Sequence, residues 1–184
     1  MSIKLQDITT STNLDMTDKV LVSDGTSEHL VTVETFLGRM STMFQGMQSS
    51  TAKTISGTTI SKIPLVNDGV EVPFGDSGMS ISDGGIKVTA AGTYRVTASA
   101  YLIPSNLANR SGLYIFYGTS FTDGEPPTGA TEACGVYDVR STTVQVTGVV
   151  MNVSANTIFY LAGRAWTGAT TTAQLGWLLV ERLA

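Results

Sequence analysis

Leu175-Gly176-Trp177-Leu178-Leu179-Val180-Glu181-Arg182-Leu183 is apolar at both parities. Side chains alternate across a strand, so Leu175, Trp177, Leu179 and Leu183 share one face while Leu178 and Val180 share the other. Neither face of such a strand belongs in water. One fills the core of its own sandwich and the other needs a cover. A symmetric oligomer supplies that cover; the alternative is that the N-terminal part of the same chain does so. Tyr94 and Tyr101, on a neighbouring strand, are seven residues apart and point to opposite faces. One of the two is expected at the oligomer axis, beside Trp177 and Leu179.

Upstream of this strand, β-rich runs recur from Thr58 to Ala165. Turn signals separate them: Asn67-Asp68-Gly69, Gly75-Asp76-Ser77-Gly78, Asp83-Gly84-Gly85, Ala91-Gly92 and Asp123-Gly124-Glu125-Pro126-Pro127. Short strands without helical period predict an antiparallel sandwich over residues 51–184. Residues 1–50 differ. Lys19–Ser23 and Glu28–Val33 flank Asp24-Gly25 and predict a hairpin. Val33, Phe36, Leu37, Met40, Met43, Phe44 and Met47 then fall at steps of three and four, which predicts one short helix over 33–48 with Thr32 as its N-cap. Gly38 and Gly46 weaken it, so its stripe needs a partner: its own hairpin, or a self-associating seam formed by those seven residues. Gln48–Thr54 reads as a linker.

Composition excludes several classes. Of 184 residues only 14% are charged and 42% are hydrophobic, with a net charge of −4. An acidic chain lacks the basic surface that nucleic acid requires. No apolar run reaches bilayer length, and Met1–Asp7 lacks the charged-then-apolar order of a secretory leader. A single Cys, Cys134, and a single His, His29, leave no intrachain disulfide and no Cys/His zinc site. His29 sits in a polar stretch and reads as a solvated turn residue rather than a catalytic base. No phosphate loop occurs. Asp68, Asp76 and Asp83 are available to Ca²⁺, but turn chemistry is the better reading. Neither Asp123 with Glu125 nor Glu132 with Asp138 stands out as a glycosidase pair. No enzyme and no cofactor is expected.

Two resemblances add to this. Asp83–Ala100, with Gly92-Thr93-Tyr94 at its centre, the hairpin Thr143–Ala162 and the strand Leu175–Leu183 resemble the C1q/TNF-like jelly rolls. That resemblance implies a jelly-roll sandwich and a homotrimer, with Tyr94, Tyr101, Trp177 and Leu179 at the trimer interface. It also places Asn67–Gly78, Pro104–Arg110, Arg140–Thr142 and Trp166–Thr172 at the far end, and Ser120–Thr131 and Ser154–Asn156 at the base. The far end then collects Asn106, Asn109, Arg110, Arg140 and Trp166, a set suited to contact with a ligand; the alternative is that Trp166 packs under its own loop. Ile8–Gly25, Thr-rich and then Asp18-Lys19-Val20-Leu21-Val22-Ser23, is similar to the start of tailed-phage head-fibre and appendage proteins. It implies a particle anchor built on Ile3, Leu5, Ile8, Leu14 and Leu21. Together they imply a virion structural protein, a homotrimeric short head fibre or capsid decoration, made in the host cytoplasm and displayed on the virion surface. Its partners would be capsid or tail proteins bound through residues 1–50. The alternative is a tail-associated adhesin for a host receptor or glycan.

Overall fold

In the computed structural model of the chain, residues 19–23, 28–32, 42–66, 71–72, 78–106, 108–140 and 142–183 are described. The chain divides into two units, Met1–Met40 and Ser41–Ala184. In the first, β1 (Lys19–Ser23) pairs antiparallel with β2 (Glu28–Thr32), Leu21 opposite Leu30, which is the expected hairpin. Ile3, Leu5, Ile8 and Leu14 lie outside the described residues.

The second unit is a two-sheet antiparallel sandwich of jelly-roll type. One sheet runs in the order β13 (Thr142–Val153), β10 (Gly92–Pro104), β15 (Thr170–Arg182), β3 (Thr42–Gln48), β6 (Leu65–Val66). Two short strands extend it: β4 (Lys53–Ser56) on β15, and β7 (Glu71–Val72) on β3. The other runs β12 (Thr128–Val139), β11 (Ser111–Thr122), β14 (Ile158–Ala165), β9 (Gly85–Val88), β8 (Met79–Ser82), with β5 (Ser61–Lys62) on β14.

Strict alternation builds the core between them. Val96, Ala98, Ala100 and Leu102 of β10, Val144 and Val146 of β13, and Leu178 and Val180 of β15 point inward. They meet Leu113 and Ile115 of β11, Phe159 and Leu161 of β14, and Ile86 and Val88 of β9. A smaller apolar cluster gathers Tyr114, Phe116, Tyr160, Phe121 and Ile60. The end of the β11–β12 hairpin lies against it, with Gly124 bridged to Ile60. Gly118 and Gly129 allow the hairpin arms to close: a Cβ on Gly118 would stand 2.2 Å from the Gly129 carbonyl oxygen.

Four expectations need correction. Over residues 42–48 the chain is strand β3, not helix; Val33, Phe36, Leu37 and Met40 lie outside the described residues. Met43, Phe44 and Met47 fit steps of three and four, but they fit alternation too. Phe44 enters the core, while Met43 and Met47 lie across the strand from it, in register with Glu181 and Trp177 of β15. Gly46 faces inward, where a Cβ would stand 2.8 Å from Ile81 Cδ1. Secondly, the chain divides after Met40 rather than at residue 50, because β3 belongs to the sandwich and Lys53–Ser56 is strand, not linker. Thirdly, Tyr94 is not an interface residue. It is 1% exposed, its ring 5.7 Å from that of Phe159, and its hydroxyl donates to the Ala90 carbonyl at 2.7 Å. Lastly, Gly78 and the Pro-rich loop are not where the resemblance puts them. Gly78 accepts from Thr89 N at 2.8 Å, at the end of the sheet where Val88 N donates to Thr157 O. The Pro-rich loop folds back from the base far enough for Glu125 to pair with Arg164 of β14.

Candidate functional site

The outward side of the sheet β13–β10–β15–β3 is one surface. Register places its residues in rows: Met47, Trp177, Ser99 and Gln145; then Gln45, Leu179, Thr97 and Thr147; then Met43, Glu181, Arg95 and Val149. Trp177, Leu179 and Tyr101 are half-buried, and Val149 and Met151 are 56% and 72% exposed. The middle row carries a hydroxyl pair, Thr147 Oγ1 donating to Thr97 Oγ1 at 3.2 Å. Charge on these rows is confined to Arg95 and Glu181. Arg95 Nε donates to Glu181 Oε2 at 2.7 Å, and Nη2 donates to the same oxygen. The two pair across adjacent strands, so the rows carry no net charge.

Trp177, Leu179 and Tyr101 therefore share this surface, and Met43 and Met47 join it from β3. Sequence reading had assigned both methionines to a helical seam. Alternation in β3, tested against the helical period, was the signal that would have placed them.

A second group stands at one end of the sheets. Pro104 is level with Thr171, Leu102 with Thr142, and Ser111 with both Ala165 and Val139. The β10–β11, β12–β13 and β14–β15 connections thus lie at this end, and with them Asn106, Asn109, Arg110, Arg140 and Trp166. The opposite end holds the start of β3, where Thr42 pairs with Arg182. Arg110 and Trp166 are brought together, the guanidinium carbon 6.0 Å from the indole ring. Trp166 in turn stacks on Tyr137 at 6.1 Å and 9°. Arg164 lies 5.3 Å from the Tyr137 ring and pairs with Glu125. Each guanidinium–ring contact is within cation–π range. Sequence reading takes Glu125 only as a turn residue and a carboxylate partner of Asp123 and does not single out Tyr137 or Arg164, because the three lie on two strands and a hairpin tip far apart in the chain. Trp166 is 43% exposed and Tyr137 36%, so Trp166 is not packed under its own loop. Asn106 is exposed and takes the Ala108 amide at 2.9 Å, closing its own turn.

Lys62 Nζ donates to Asp83 Oδ1 at 2.9 Å and Tyr160 donates to Oδ2 at 3.1 Å. The Lys62 bond is the main cause that holds the Asp83 carboxyl below its ordinary range. Burial pushes the Cys134 thiol and the Tyr160 hydroxyl up, away from ionisation. Among the described residues no three His, Cys, Asp or Glu side chains are placed to hold a metal ion. Among them, too, no helix is long and apolar enough to cross a membrane.

No protein-family model matches the chain, and no curated protein matches it. Its likeness is to solved structures. Murine APRIL at pH 8.0 is 10% identical with a TM-score of 0.54, over 78% of this chain and 99% of that one. The fold is a TNF-like jelly roll. Eiger TNF from S. frugiperda is 14% identical at a TM-score of 0.49, over 78% of this chain and 92% of that one. The PRD1 vertex protein P5 is 14% identical at 0.48, over 78% of this chain and 97% of that one. The last two scores are too low to carry a conclusion, and identity this low speaks to the TNF-like fold alone.

Proposed function

We propose that this chain is a virion structural protein, a homotrimeric short head fibre or capsid decoration protein. It is held to the particle by its N-terminal unit and presents the jelly roll outward. The observation that carries the reading is the outward face of the β13–β10–β15–β3 sheet, whose Met43, Met47, Trp177, Leu179, Val149 and Met151 call for a cover. A second and third copy cover it by a closed symmetric arrangement; the number three comes from the likeness to the C1q/TNF-like proteins. The virion role draws on the likeness of Ile8–Gly25 to phage appendage proteins. Three anchors on one trimer multiply a weak contact with capsid or tail subunits through avidity. Division of the chain after Met40 suits this separation of anchor from knob. Removal of residues 1–40 is expected to abolish incorporation into particles while the remainder stays a folded trimer. Truncated protein recovered on purified particles at the wild-type level would refute the anchoring role.

A second reading, a receptor- or glycan-binding adhesin, is favoured by the Arg110–Trp166–Tyr137 stack. Its aromatic edges are exposed at the end opposite the start of β3. Exposed Trp, Tyr and Arg together are the residue types that dominate binding hot spots. Combined Trp166→Ala and Arg110→Ala substitution is expected to lower host adsorption of particles at least tenfold under this reading. Adsorption equal to wild type would remove it and leave the structural role.

A further inference from the structure

We propose that Leu175 is a knob seated in a second copy of this chain, an inference that rests on the homotrimer proposed above. Leu175 has a φ of +52°, the left-handed region that a branched residue ordinarily avoids. Leu175 is 78% exposed, so no packing among the described residues offsets that strain.

The strain is built in by a bulge. Ser99 of β10 faces Trp177 while Tyr101 faces Gln174, so Leu175 and Gly176 share the place opposite Ala100. One side chain clamps the bulge from both sides. Buried Gln48 of β3 donates from Nε2 to the Ala173 carbonyl at 3.0 Å and to the Thr51 carbonyl at 3.2 Å. Its Oε1 accepts from Gly176 N at 3.1 Å. Leu175 is thus held out from β15 by bonds that fold with the sandwich. A regular strand would have returned it to the ordinary alternation.

The surroundings select the occupant. Trp177, Tyr101, Ser99, Gln174, Gln145, Thr143 and Met47 stand around it in register and none is charged. The charges in the rows of this face, Arg95 and Glu181, pair with each other. Another copy presenting the same face meets no like charge, and both surfaces are apolar and hydroxyl-bearing. A charged partner would find no counter-charge here. The knob also continues the line of Leu179 and Trp177 along β15, so one subunit buries all three together.

Leu175→Gly separates a knob from a surface accident, because glycine accepts a positive φ freely. The variant is expected to keep the wild-type far-UV circular dichroism. Its self-association, by sedimentation equilibrium of the full chain, is expected to loosen at least roughly tenfold through loss of one buried leucine per contact. Leu175→Asn, also tolerated at this φ, should behave alike. Trimers of both variants as tight as wild type would overturn the knob while sparing the homotrimer. Loss of the strand spectrum in both would show a purely structural residue and overturn it as well. A monomeric wild type would overturn the homotrimer reading itself.

Discussion

Leu179→Asp is expected to sediment as a folded monomer at micromolar concentration, where the wild-type chain is expected to sediment as the proposed trimer. Leu179 lies in the middle row of the outward face, between Thr97 of β10 and Gln45 of β3. It is half-buried, and its strand neighbours Leu178 and Val180 take the core positions. A carboxylate there stays hydrated in the isolated subunit, so the sandwich keeps its strand spectrum. In the assembly every copy would bury one unpaired charge beside Glu181, whose own charge is already taken by Arg95. Burial of an uncompensated ion costs several kcal/mol, and each ~1.4 kcal/mol is tenfold in the dissociation constant. With one such charge per subunit, association is lost by several orders of magnitude. A Leu179→Asp protein that remains trimeric at the wild-type concentration would place the contact elsewhere and remove the basis of the proposed assembly.

Phe159→Ala tests the other side of the same architecture and should act on stability alone. Phe159 is fully buried near the start of β14, its ring 5.7 Å from Tyr94 and 6.2 Å from Tyr117. Its backbone is held in the sheet, Phe159 in register with Ile86 of β9 and with Tyr117 of β11. A Phe-to-Ala cavity in a rigid core costs about 3–5 kcal/mol. For a chain of this length that lowers the melting midpoint by roughly 10 °C. Sedimentation well below the melt should still report the wild-type oligomer, the converse of Leu179→Asp. A midpoint within about 3 °C of wild type would mean that the two sheets close over the gap.

Alternation in the long strands was readable because each buries one face. Val96, Ala98, Ala100 and Leu102 announce their direction whatever lies opposite, and the two-faced apolar strand from Leu175 onward announced a sheet with both sides occupied. Tyr94 and Tyr101 were correctly set on opposite faces, but which of them points inward depends on the packing of Phe159 against β10, a contact sixty-five residues away in the chain. The helical reading of 33–48 failed over β3 because short apolar runs satisfy both periods. Only pairing with β15 gives the segment a face, and only the approach of Ile81 explains why Gly46 sits there.

The amino-acid sequence by itself determined an antiparallel β sandwich with an apolar surface in excess of its own core, since period and composition are local properties. Only the tertiary structure decided that Met43 and Met47 share the outward sheet surface with Trp177, that Arg110 and Trp166 extend onto Tyr137, and that Leu175 stands out on a bulge. Each of these requires strands remote in the chain to meet in one register, and a register is chosen by the whole sandwich closing at once.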